Sequence, residues 1–179
     1  KPGMVKVLLS APGSEGVDVN ARDCEDMRPL HYALRDDEES PEQAAVVETL
    51  IRLAGDRLDV NAQACMGETP LNTTCYAENP ALLETFLSLA GERVIFEPRL
   101  TVYSDAEEDE ELVEEPLPAS ALRSALLHSK NLEMGQVMLK YYPKGQLQKE
   151  IPLYQDLVDA GLQQGADALK AVFDKHGIA

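Results

Sequence analysis

Tryptophan is absent from the 179 residues, and three phenylalanines and six tyrosines are all the aromatics there are. A core must therefore be built from Leu, Val, Ala and Ile, the material short helices use against one another. Three cysteines, Cys24, Cys65 and Cys75, form an odd set without C-x-x-C spacing. They argue against a disulfide framework and a zinc site, and for a reducing, intracellular setting, cytoplasmic or nuclear. The longest apolar stretches, such as Val46 to Leu53, are broken by charge and fall far short of the roughly 20 residues that cross a bilayer. Lys1 to Leu9 lacks the apolar run and cleavage site of a signal peptide, and its helix pattern is under way by Met4, so we expect a piece of a longer chain.

Catalytic signatures are missing as well. H-E-x-x-H, G-x-S-x-G, a P-loop and a Gly-rich dinucleotide turn do not occur, and neither acidic cluster has the D-x-[DN]-x-[DN]-G spacing of a calcium loop. The expectation is a chain that is not an enzyme, with no catalytic, cofactor-binding or metal-binding residues.

Charge is abundant but uneven. The net charge is −16, from 32 acidic and 16 basic residues. Asp36 to Glu42 holds five acids and Asp105 to Glu115 holds eight, with no Lys or Arg in either; the remaining scaffold is close to balanced. Runs of like charge repel themselves and favour an extended loop. They also repel phosphates, which disfavours direct binding of nucleic acid.

The chain repeats itself. Val47 to Leu58 (VETLIRLAGDRL) returns 36 residues later as Leu83 to Val94 (LETFLSLAGERV), with character kept at every position except Arg52/Ser88. Asp18-Val19-Asn20-Ala21, followed by Pro29-Leu30, returns 41 residues later as Asp59-Val60-Asn61-Ala62, followed by Pro70-Leu71. Thr69 is placed as an N-cap with Pro70 as the first helical residue, and Gly55 and Gly91 are placed to stop a helix.

With Arg28-Pro29-Leu30-His31-Tyr32-Ala33 and Gly67-Glu68-Thr69-Pro70-Leu71-Asn72, these segments resemble the ankyrin family. The resemblance is strong over 17–91, moderate over 120–177 and absent over 97–118. It implies an all-α ankyrin-repeat solenoid of stacked helix-turn-helix units with two acidic insertions. The units are a partial repeat at 1–20 and repeats at about 21–61, 62–100, 101–147 and 148–179, forming one domain. Departures are expected to matter: Arg28 stands where the family has Thr, Asp26 where it has Gly, and Ile95-Phe96-Glu97-Pro98 where D-V-N-A would recur.

The family fold hosts many binding roles, so the resemblance implies a protein-interaction module or scaffold. The partner is expected to be another protein with a basic surface, held through the concave face, loop tips and acidic insertions, and not a membrane. The alternative is a regulatory ankyrin segment of a larger enzyme or channel. By analogy with the family, contact residues are Cys24, Glu25, Asp26 and Met27 at one tip, Met66 and Glu68 at the next, and Tyr32, Arg35, Thr73 and Tyr76 on the inner helices. The acidic run adds Glu107, Glu108, Asp109, Glu110, Glu111 and the apolar Leu112. His31 takes the family's structural role of bonding adjacent loops.

Overall fold

Proline sets where the helices begin. It opens α1 (Pro2–Ser10), α2 (Pro29–Leu34), α3 (Pro41–Ala54), α4 (Pro70–Tyr76) and α5 (Pro80–Ala90) in the computed structural model, which describes residues 2–35, 41–96, 99–101, 114–116, 121–127 and 132–178. A first helical residue has no intrahelical acceptor for its N–H, so proline loses nothing there. Thr69 Oγ1 caps α4 by accepting from the Asn72 N–H, and the Asn79 side chain caps α5 by accepting from the Leu82 N–H at 3.0 Å. Four further helices follow: α6 (Ala121–Leu127), α7 (Leu132–Tyr141), α8 (Ile151–Asp159) and α9 (Gln163–His176).

The body of the molecule is all-α and two layers deep. Each helix packs on the helix two places further along: α1 on α3, α3 on α5, α5 on α7 and α7 on α9 form one layer. The other layer runs α2 on α4, α4 on α6 and α6 on α8, and neighbouring helices join the two as α2–α3, α4–α5, α6–α7 and α8–α9. In α3 the buried Val47, Leu50, Ile51 and Ala54 fall at helical spacing, and Leu83, Phe86, Leu87 and Ala90 repeat that stripe in α5. One continuous apolar cluster runs from Leu9 to Phe173, each large side chain contributing about 1.5–3 kcal/mol of burial. Arg52 and Ser88, the one mismatch in the duplicated segment, both face solvent.

The ends of α3 and α5 are alike in detail. Gly55 and Gly91 have φ of 55° and 57°, and each opens a single 3-10 turn, Gly55–Arg57 and Gly91–Arg93. The segments that follow are tied by asparagine. Asn20 Nδ2 donates to the Arg57 carbonyl at 2.7 Å while its Oδ1 accepts from the Asp59 N–H at 2.9 Å. Asn61 does the same one step on, with the Arg93 carbonyl at 2.7 Å and the Ile95 N–H at 2.8 Å. Where D-V-N-A is lost, Phe96 is buried and meets Tyr142 edge-on with ring centroids 5.1 Å apart. Aromatic packing thus takes over at this junction, and the buried Tyr142 hydroxyl donates to Glu150.

One feature departs from an entirely helical chain. Strands β1 (Arg99–Thr101) and β2 (Glu114–Pro116) pair antiparallel, with Arg99 opposite Pro116 and Thr101 opposite Glu114. They bracket residues 102–113, which lie outside the described residues, as does 36–40. Among the described residues no helix is long and apolar enough to cross a membrane.

Candidate functional site

Two loop tips precede α2 and α4, and they are built to one plan. Asp23 N–H donates to the Met27 carbonyl and Asp26 N–H to the Asp23 carbonyl; 41 residues later Ala64 N–H donates to the Glu68 carbonyl and Gly67 N–H to the Ala64 carbonyl. The tips also touch, through the Cys65 N–H donating to the Glu25 carbonyl at 2.9 Å. Asp26 carries φ 56° where Gly67 carries 74°, so the substitution of Asp for Gly keeps the turn instead of distorting it. Aspartate is among the residues that tolerate this conformation.

Asp23 holds the first tip together. Its Oδ1 accepts from the N–H groups of Glu25 and Met27, both at 2.9 Å, and its Oδ2 accepts from the Tyr32 hydroxyl. The Tyr32 bond, followed by the backbone donors, pulls the carboxyl below its ordinary range, and the same bond pushes the Tyr32 phenol up. Sequence reasoning missed Asp23. Its signal was a carboxylate immediately before the tip at Cys24, where Asp commonly folds back onto its own backbone.

His31 bridges the tips from beneath. It is completely buried, its Nδ1 accepts from the Arg28 N–H, and its Nε2 lies 3.2 Å from the Glu68 carbonyl. Because Nδ1 faces a donor, the proton resides on Nε2 and is donated to Glu68. Burial lowers the ring's affinity for a second proton, against the opposing pull of the Glu68 carbonyl. The missing Thr cap at Arg28 is therefore offset by His31 itself, and the Arg28 guanidinium reaches Asp59 of the next segment at 3.1 Å.

The expected contact residues divide by exposure. Cys24, Glu25, Tyr32, Arg35 and Tyr76 face solvent, and Asp26 and Glu68 are half-exposed. Met27 and Thr73 do not belong with them: both are buried, Met27 beneath the Asp23 turn and Thr73 with its hydroxyl on Glu68 Oε1 and the Thr69 carbonyl. Met66 lies in the turn Cys65–Gly67. Glu107, Glu108, Asp109, Glu110, Glu111 and Leu112 lie outside the described residues. What is brought together is thus a rim of carboxylates at touching tips, with Tyr32 and Tyr76 exposed on adjacent helices.

No match to this chain is found among models of protein families, curated proteins or solved structures. Local chemistry then carries the reading. Cys24 and Cys65 are exposed thiols on the touching tips, whereas Cys75 is buried and its thiol is pushed up to about 12 by desolvation. Among the described residues no group of three or more His, Cys, Asp or Glu side chains is arranged to hold a metal ion.

Proposed function

We propose that the chain is an ankyrin-type stack that binds another protein, one presenting a basic surface, against its loop tips and the exposed face of α2 and α4 on the concave side of the stack. The observation that carries this reading is the pairing of exposed Tyr32 and Tyr76 with the carboxylates of Glu25, Asp26 and Glu68 on tips already pinned by their own hydrogen bonds. Tyrosine supplies large contact area at little entropic cost. Pre-bonded tips lose little further freedom on binding. Carboxylates gathered at a rim speed encounter with a positively charged surface. Two further supports come from the fold: each helix layer stacks in sequence order, and Asn20 and Asn61 make the same inter-segment ties.

The test is capture of partners on immobilised protein, comparing the unaltered chain with a Tyr32→Ala/Tyr76→Ala variant and with Glu25→Lys, at low and high salt. The unaltered chain should retain proteins of basic isoelectric point that wash off as salt rises. The tyrosine variant should lose them at either salt and Glu25→Lys at the lower. An identical captured set for all three proteins would refute the proposed surface.

A further inference from the structure

A second feature lies beside α7 and α9, and its lining shares no residue with the tips. A cavity of about 460 Å³ opens between α7, α9 and the 3-10 segment Lys144–Glu150. Its floor is apolar: Leu139 and Leu147 are buried there and Val172 half-buried. Its walls carry Lys140, Lys144, Lys175 and His176 and, among the described residues, no carboxylate. In a chain with twice as many acids as bases, that is a local reversal of sign. Six of the eight lysines fall after residue 129, three of them on this wall.

Helix ends explain part of this clustering. Lys140 is in the last turn of α7, and Lys175 and His176 are in the last turn of α9, where a cation complements the helix dipole. Lys140 is moreover committed to Glu84. Lys144 has neither explanation. It opens the Lys144–Glu150 segment, the end at which the dipole disfavours a cation, and neither it nor Lys175 has an ion-pair partner among the described residues. Two uncommitted ammonium groups over an apolar floor, in a recess within the size range of small-molecule pockets, fit one chemistry: a small organic anion with a hydrocarbon body.

We propose that the α7–α9 cavity binds a small amphipathic anion, its carboxylate or equivalent head held by Lys144 and Lys175 and its apolar body on Leu139, Leu147 and Val172. Binding here does not depend on the tip surface being an interaction site, so the two ideas stand or fall separately.

Octanoate is the probe, octan-1-ol its uncharged counterpart, and backbone amide shifts in the intact chain the readout. Octanoate should give saturable shifts concentrated in Leu139–Lys144 and Ala168–His176. Octan-1-ol should bind about tenfold more weakly, because it lacks the charge-assisted contacts. The exposed pair Lys144→Gln/Lys175→Gln should cost octanoate about tenfold and leave octan-1-ol unchanged, with the rest of the amide spectrum preserved as evidence of the fold. Equal affinities for the two probes, octanoate binding unaltered by the double substitution, or shifts centred on the exposed Met4, Val7 and Leu8 of α1 would each overturn the proposal.

Discussion

Asp26 and Gly67 stand 41 residues apart in the same left-handed backbone conformation, one at φ 56° and the other at 74°. A side chain at that geometry costs about 1–2 kcal/mol, less for Asp than for most, and the glycine position has no such cost. Gly67→Ala should therefore lower stability by about 1 kcal/mol, whereas Asp26→Gly should leave it unchanged or raise it. The exposed Arg22–Asp26 pair that the latter removes is a small loss. Urea denaturation of both variants checks this; an Asp26→Gly loss as large as that of Gly67→Ala would show that the Asp26 side chain matters more than its backbone.

The two asparagine ties differ in depth. The Asn61–Arg93 bond is partly buried, while the Asn20–Arg57 bond is exposed to water. Removing a carboxamide leaves an N–H and a carbonyl to find other partners, which is harder where water is excluded. Asn61→Ala should cost about 2 kcal/mol and Asn20→Ala about 1 kcal/mol or less. Equal losses would mean that exposure does not set the worth of these bonds.

His31 makes stability depend on pH near neutrality. Its folded-state proton affinity lies below the ordinary 6.5, so in mildly acid solution the unfolded chain takes up a proton that the folded protein refuses. The stability contributed by the neutral ring is whole above about pH 6.5 and drains away as the pH falls toward the lower folded value. Urea midpoints should fall between pH 7 and 5 for the natural protein. They should fall less steeply for His31→Asn, which starts lower; parallel curves would assign the loss to another group.

Close approach of α6 and α7 rests on one missing atom. A Cβ on Gly135 would stand 2.1 Å from Leu126 Cδ2 and 2.9 Å from its Cγ, whereas one on Gly165 would meet nothing nearer than Leu157 Cδ2 at 3.4 Å. Gly135→Ala should destabilise by about 1–3 kcal/mol through overpacking. Gly165→Ala should be neutral or gain up to about 1 kcal/mol from better helix propensity. Thermal denaturation of the two single variants, and of Gly135→Ala combined with Leu126→Ala, separates the steric effect from propensity, since only the steric part is relieved in the pair.

The helical body could be read in advance because its signals are local. Pro29, Pro70, Thr69, Gly55 and Gly91 each act within a turn of where they stand, and the duplicated stripe of α3 and α5 needs no knowledge of neighbours. The β1–β2 pair could not be read that way. Three residues a side give no alternation to detect, and the pairing joins Arg99 to Pro116 across an interval dominated by acidic charge. The tip surface was half legible. Tyr32 and Tyr76 are exposed as expected, but a tip treated as uniformly solvated hides Met27, which the Asp23 turn folds inward. The lysine-walled cavity is tertiary in origin, assembled from α7 and α9, and no spacing within either helix announces it.

The layer order also has a kinetic meaning. Because α1 rests on α3, α3 on α5 and so onward, every described helix packs mainly on partners one or two places away along the chain. Such connectivity gives low contact order and rapid assembly, and it lets one helix pair loosen without disturbing pairs further along. Amide exchange should accordingly show several graded openings, pair by pair, instead of one concerted one, so the molecule would open like an unzipped seam rather than burst as a globule.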